Sequence, residues 1–439
     1  MPDLRLLTSA ASNDTLCDLP LKQLAVRTPP AAWNIRVSPA IALSRNPIRS
    51  TIASVTSTPP QTTKAPINLG LGDPTSYPLH PPPPTTSAAI ITAVSGERSN
   101  GYVPGAGTTT ARQAVADYHE RWDRVQYDAD DITLTHGVGQ ALDMLFSVLC
   151  PHSRIEQTNV LLPRPVFAQY PMLLANLGVE ARFYDCIEEN GWEADLDMLR
   201  SLVDERTRAI VVTNPSNPCG TNFSAKHISD ILAVAEEWKV PIIADEIYGH
   251  ITWSTPFTPL ASLSNSVPIL TLSGLSKRFL LPGWRVGWIA LHDPLGVAGP
   301  IREGLAVWAN RYFGPSSLTQ AALPEILLTP DAWHAEVLAK VKLNAEIMTS
   351  SINQIPGISC VAPTGALYML VRIDPLSFPE FTDDVDFCAA LYREEAVFVL
   401  PGQCFEAVGY FRVVLASPAE IMREVGVRLA EFCARHRVL

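Results

Sequence analysis

Ile269-Leu-Thr-Leu-Ser-Gly-Leu-Ser-Lys277-Arg278 opens as an apolar run and closes in a short polar turn that carries a lysine. A lysine just past the carboxyl end of a buried strand sits where open α/β sheets place their ligands. Taken alone, Lys277 is as readily a surface residue, because lysine is mostly exposed. Its neighbours along the chain decide the matter. From about 130 to 290, short apolar runs at 160–162, 209–213, 241–244, 269–272 and 286–290 alternate with amphipathic helical stretches. Such alternation is the signature of βαβ units and a mainly parallel sheet covered on both faces, an α/β fold. Between two of these runs Ser224 opens a helix whose Ile228, Ile231, Leu232 and Ala235 share one face.

Two further strand ends and one helix start carry chemistry. Asp245-Glu246-Ile-Tyr248 closes one strand and puts a carboxylate at the edge that bears Lys277, with a phenol one short turn on. A solvated acidic turn would look the same. A pyridine ring, however, needs a carboxylate against its nitrogen to stay protonated, and a tyrosine hydroxyl can bond the ring oxygen. Asn214-Pro-Ser-Asn217-Pro-Cys-Gly220 follows another strand, and its two prolines aim the Asn217 amide in a fixed direction, where it can donate a second bond to that oxygen. Thr135-His-Gly137-Val-Gly139-Gln leads into an apolar helix, so backbone N–H groups and a positive dipole end meet at a glycine-rich turn. Leu142 stands where a dinucleotide fingerprint needs its third glycine, which favours a lone-phosphate cradle at Gly137, Val138 and Gly139. Arg285, eight residues after Lys277, is placed for a bidentate pair with that phosphate.

After about 330 the pattern changes to a second, α+β unit. A helix is expected over 331 to about 352, strands over 365–372 and 411–415, and a last helix starting at Ser417 with Pro418 in its first turn and Glu420 completing a capping box. Residues 1 to about 30, with Pro29-Pro30, read as a flexible leader, and Pro81 to Pro84 as an extended connection.

Composition narrows the function. The chain has 439 residues, 18% of them charged, and a net charge of -11 with no basic run, which removes the footprint of a nucleic-acid binder. No apolar stretch reaches the roughly 18 residues of a membrane span. The eight cysteines are scattered singly and the nine histidines form no ligand pattern, so reduced thiols and no metal are expected. The start of the chain lacks the pattern of a secretory or transit peptide, which points to the cytoplasm.

An amine, a carboxylate, two hydrogen-bond donors and a phosphate cradle on one sheet edge resemble the class I aminotransferases of pyridoxal 5'-phosphate fold type I, and among them those that act on tyrosine. The likeness runs from Asn46-Pro-Ile-Arg49 through Asn68-Leu-Gly-Leu-Gly72-Asp-Pro, Tyr102-Val-Pro, Pro163-Arg-Pro and Ala244-Asp-Glu-Ile-Tyr-Gly249 to Pro282-Gly-Trp-Arg-Val-Gly-Trp288 and Phe411-Arg-Val-Val-Leu415. It covers about nine-tenths of the chain. The resemblance implies a large cofactor-binding domain over 86–329 with a mainly parallel seven-stranded sheet, a smaller α+β domain from 36–85 and 330–439, and an arm over 1–35. It further implies that Lys277 carries the cofactor as a Schiff base and shuttles the reaction's proton, that Asp245 holds the ring nitrogen, and that Asn217 and Tyr248 hold the ring oxygen. Phe167 matches the ring that stacks on the cofactor, while Arg412, Gly72 and Asn217 match positions that receive the substrate α-carboxylate. Tyr102 matches a tyrosine that reaches the phosphate of a second subunit, so a homodimer is implied.

The implied reaction moves the amino group of tyrosine, or of another aromatic or apolar amino acid, to 2-oxoglutarate or another 2-oxo acid. The chain departs from its relatives where they offer hydroxyls to the phosphate: it has His136, Val138 and Gly139 in the cradle and Gly274 before the lysine. The phosphate is therefore expected to rest mainly on backbone N–H groups, Arg285 and a partner's tyrosine, with His136 as a further candidate. Another enzyme of the same fold, such as a carbon–sulfur lyase or a ring-forming synthase, would use the same residues. A cofactor-binding regulator would need a DNA-binding module that a short, non-basic leader cannot hold.

Overall fold

Strand residues alternate between two apolar layers, and that alternation builds the main sheet. Val211 and Ala209 face a cluster with Ala141, Leu142 and Leu145, while Ile210 and Val212 face one with Ile228, Ile231 and Leu232. With helices on both faces, every residue of such a strand can be apolar, and the 160–162 and 209–213 runs are fully buried. Each completely buried Val, Leu or Ile contributes about 1.5–3 kcal/mol of transfer free energy.

The computed structural model describes residues 38–44, 46–151 and 157–438, and the expected arm over 1–35 lies outside them. Among the described residues the strands are β1 (Ile67–Asn68), β2 (Ile132–Thr135), β3 (Asn159–Arg164), β4 (Glu180–Ile187), β5 (Glu193–Ala194), β6 (Thr207–Thr213) and β7 (Ile242–Asp245). They continue with β8 (Ile269–Gly274), β9 (Gly287–His292), β10 (Ile358–Cys360), β11 (Tyr368–Ile373), β12 (Val397–Phe398), β13 (Leu400–Pro401) and β14 (Tyr410–Val414). The main sheet has the order β2-β9-β8-β7-β6-β3-β4-β5. Its run from β8 to β4 is parallel, and β9 is antiparallel to both of its neighbours. Five of these strands, β3, β6, β7, β8 and β9, are those named from the sequence; β2 and β4 bring the number to the seven that the resemblance implied, and an eighth, β5, adds two residues antiparallel to the outer edge of β4. Two residues leave no alternation to read.

A second, four-stranded antiparallel sheet, β10-β11-β14-β13, packs its Met369, Val371, Phe411 and Val413 with Val341, Ala345 and Met348 of the helix Asp331–Ile352. That helix has the bounds expected from its periodicity. The last helix does not begin as expected. It spans Ala419–His436 with Pro418 at its cap, and the Ser417 hydroxyl is buried without a partner rather than closing a capping box with Glu420. The reason lies in the neighbouring helix, where the Asn344 amide donates to the Ser417 carbonyl at 2.6 Å and to the Leu415 carbonyl at 2.7 Å, holding this segment outside the helix.

Candidate active site

Because β6, β7 and β8 run parallel side by side, their carboxyl ends deliver Asn214, Asp245 and the Lys277 turn to one edge. The antiparallel β9 begins at that same edge, so Arg285 returns to it, and β2 ends there with Gly137 and the helix Val138–Leu149. Around this edge lies a cavity of about 420 Å³. Of the site residues expected from the sequence, Gly137, Tyr102 and the further candidate His136 are off its wall. Gly137 sits directly behind it as the N-cap, with φ +83°, a left-handed value that favours glycine. Tyr102 is 96% exposed, its ring 5.7 Å from that of Phe313.

Asp245 is deeply buried. Its carboxylate accepts from the Tyr170 hydroxyl at 2.5 Å and from the Ile247 N–H at 3.3 Å, and Tyr170 also contacts the Thr213 hydroxyl at 3.0 Å. Burial pushes the carboxyl up to about 6, against the lowering effect of Tyr170, the Ile247 N–H and the Lys277 charge. The site thus holds a desolvated acid whose ionisation a cationic N–H donor would restore. Lys277, half-buried, donates to the Gly72 carbonyl at 2.5 Å, and its Nζ lies 5.9 Å from the centre of the Tyr248 ring.

Arg412 reaches the cavity from β14. One terminal nitrogen donates to Asn217 Oδ1 at 2.8 Å and the other to the Gly70 carbonyl at 2.7 Å, while Nε is buried without a partner. Burial lowers the guanidinium from its ordinary value. A buried cation bonded only to neutral acceptors, with a spare N–H, is an anion receptor. The Asn217 oxygen being turned to Arg412 leaves its NH2 to donate into the cavity.

Sequence reasoning missed Tyr368, Tyr170, Gln169 and Ser276, all of which line the cavity. Tyr368, on β11, meets the Tyr248 hydroxyl at 2.8 Å, and the Arg412 guanidinium lies 4.4 Å from the centre of its ring. Burial alone would raise the Tyr368 hydroxyl, but the Lys277 and Arg412 cations beside it bring it below the usual tyrosine value. Burial instead raises Tyr248 well above that value. Tyr368 is therefore the readier donor of the two. Tyr368→Phe is expected to lower kcat/KM about tenfold, the cost of leaving one buried hydroxyl unpaired. Steady-state kinetics of this variant, Tyr248→Phe and the double variant check it, and additive effects would show that the bond between the hydroxyls is unimportant.

The cradle also differs from expectation in detail. Val138 and Gly139, whose N–H groups head the helix Val138–Leu149, line the cavity, while the Gln140 N–H behind them donates to the Gly137 carbonyl at 3.1 Å. Arg285 lies across the turn, donating to the His136 carbonyl at 3.0 Å and the Pro282 carbonyl at 3.1 Å. His136 itself is off the wall, its N–H donating to Gln140 Oε1 at 2.7 Å. Gln169 and Ser276 bring two further polar side chains to the cavity wall. Gly274 has a reason of its own: a Cβ there would stand 2.7 Å from the Val286 carbonyl oxygen, so no hydroxyl side chain fits between β8 and β9.

Pyridoxal 5'-phosphate fits this donor set. Asp245 suits the ring nitrogen, Asn217 and Tyr248 the ring oxygen, Phe167 one ring face, Lys277 the aldehyde carbon, and the helix N-terminus with Arg285 the phosphate.

Comparison with known proteins places the chain in a family. The family model "Aminotransferase class I and II" matches residues 64–428. Tyrosine aminotransferase of Mus musculus is 41% identical over 409 residues, 92% of this chain and 89% of its own length. An S-alkyl-thiohydroximate lyase of Arabidopsis thaliana is 35% identical over 85% of this chain and 81% of its own. The crystal structure of tyrosine aminotransferase from Leishmania infantum superposes with a TM-score of 0.88 at 30% identity, covering 93% of this chain and 100% of that one. With a family model matched over most of its length and these relatives, the chain belongs to the class I and II aminotransferases, enzymes that depend on pyridoxal phosphate.

Proposed function

We propose that the enzyme transfers the amino group of tyrosine, and of other aromatic or apolar amino acids, to 2-oxoglutarate or a similar 2-oxo acid. The observation that carries this is the cavity itself: one receptor for an α-carboxylate, Arg412, beside apolar side chains of Ile48, Leu71 and Ile247. Lys277, Arg285 and Arg412 are the only cations among its described lining residues, and each has a role in the reaction centre. The names of the mouse and Leishmania relatives support the same substrate.

In this assignment Arg412 and Asn217 fix the α-carboxylate and so set which substrate bond faces the cofactor. The bound cofactor supplies the electron sink that stabilises negative charge at the α-carbon. Asp245 holds that sink in its charged form. Lys277 takes the proton from the α-carbon, and the Gly72 carbonyl orients its amine until then. Tyr248, backed by Tyr368, holds the ring oxygen.

A homodimer is part of the proposal. Tyr102 does not line its own chain's cavity and stands exposed with Tyr312 and Phe313, the kind of apolar patch that a second copy covers. A division into a domain over 86–329 and one over 36–85 with 330–439 is supported by the sheets: the eight-stranded one falls within 86–329, while the four-stranded one and the β1-β12 pair fall within 36–85 and 330–439. A cytoplasmic setting is supported by seven free cysteines among the described residues. Among those residues no helix is long and apolar enough to cross a membrane.

The lyase relative makes elimination the alternative outcome. Purified enzyme given tyrosine and 2-oxoglutarate is expected to form glutamate and the aromatic oxo acid in equal amounts. Ammonia and pyruvate from a sulfur amino acid without an acceptor, in place of glutamate, would assign it to the lyases.

A further inference from the structure

The helix Thr109–Asp123 lies behind the site and carries a buried polar face that the chemistry above does not use. Asp123 is 7% exposed, His119 2% and Arg278 5%. The Asp123 carboxylate takes both of its oxygens to imidazoles, Oδ2 to His119 Nδ1 at 2.5 Å and Oδ1 to His250 Nε2 at 2.6 Å. The Trp288 indole N–H donates to His119 Nε2 at 2.8 Å, which makes that nitrogen an acceptor and leaves Nδ1 to carry the proton toward Asp123. On the same face Tyr118 accepts from Arg278 Nη1 at 2.6 Å, and the Arg278 guanidinium sits 3.7 Å from the centre of the Trp122 ring.

What gives this face its interest is where its partners lie in the chain. His250 is two residues after Tyr248, Arg278 follows Lys277, and Trp288 is three residues after Arg285. One helix face therefore grips the turns that carry the site's phenol and amine and the start of β9, just after its guanidinium. Burial opposes ionisation of Asp123, but the two imidazole donors prevail and hold its carboxyl well below the ordinary range. Burial likewise lowers His250, so the neutral imidazole bonds a carboxylate anion. Both Asp123 oxygens and both His119 nitrogens are engaged, so displacing either imidazole leaves a desolvated group unpaired.

We infer that Asp123 is a positioning residue of the amino-transfer reaction: through His250 it fixes the turn that presents Tyr248, and its helix, through Tyr118 and Trp122, fixes the turn that presents Lys277. Asp123 touches neither substrate nor cofactor, and its effect passes through the loops it holds. The inference rests on the roles given above to Tyr248 and Lys277, and the wild-type reaction serves as the control for those roles.

The test uses cofactor-loaded enzyme, with rates expressed per bound cofactor. Asp123→Asn cannot accept from both imidazoles at once, and His250→Leu removes one of them. Both are expected to lower kcat about tenfold with KM for the amino acid changed less than about twofold, since displaced loops cost orientation rather than substrate contacts. His250→Gln, which keeps an N–H that can reach Asp123, is expected to recover most of the lost rate. If Asp123→Asn does not fold, the His250 pair decides alone. Rates per loaded site within about twofold of wild type for both His250→Leu and Asp123→Asn, with only the melting temperature lowered, would overturn the inference and leave Asp123 a structural residue.

Discussion

Lys277→Ala is expected to slow amino transfer by about 10³-fold or more while the protein stays folded. Two functions end together: the covalent attachment that a lysine amine gives to a carbonyl cofactor, and proton transfer at the substrate α-carbon, which alone contributes about 10²–10⁴-fold. No other amine lines the cavity among the described residues, so nothing nearby can take over. Stability is expected to change little, because the half-buried side chain gives up one hydrogen bond, to the Gly72 carbonyl. Stopped-flow and steady-state rates with a melting curve check both parts. A variant that keeps a tenth of the activity would move the proton-transfer role elsewhere.

Asp245→Asn is expected to cost nearly as much, about 10²–10³-fold in kcat/KM, the effect of removing one partner from a buried charge pair. Asparagine keeps the shape but cannot hold a pyridine nitrogen protonated. The variant carries a second signature in protein freed of cofactor. With its folded value raised to about 6 from an ordinary 3.8, Asp245 favours the fold below pH 4, and that advantage is lost as the pH rises through about 6. A shift of two units corresponds to about 3 kcal/mol. Denaturant unfolding of the cofactor-free proteins should thus show the variant gaining on wild type by about that amount between pH 4 and pH 8. An unchanged difference would mean that Asp245 is not desolvated.

How far the sequence reveals this site depends on whether a residue acts through its own chain neighbourhood. Lys277, Asp245, Asn217 and Gly137 end strands or open a helix, so topology alone brings them to one edge, and the period of the apolar runs makes that topology readable. Tyr368 opens the apolar run of β11, where it looks like core; only the packing of the four-stranded sheet near the main one brings its hydroxyl to Tyr248. Tyr170 and Gln169 open an ordinary amphipathic helix, Gln169–Leu177. The His119–Asp123 pair has helical spacing visible in the sequence, yet nothing in the spacing shows that both are buried or that His250 completes the group from 127 residues away. The misjudged start of the last helix is of the same kind: its local signal was overridden by a tertiary bond from Asn344.

The most direct test of the account is the visible absorption of the purified enzyme through one reaction cycle. Tyrosine should abolish the cofactor's visible band, 2-oxoglutarate should restore it, and Lys277→Ala should show neither change. A protein without such a band, or a band that responds in the same way when Lys277 is alanine, would contradict an amino transfer centred on Lys277.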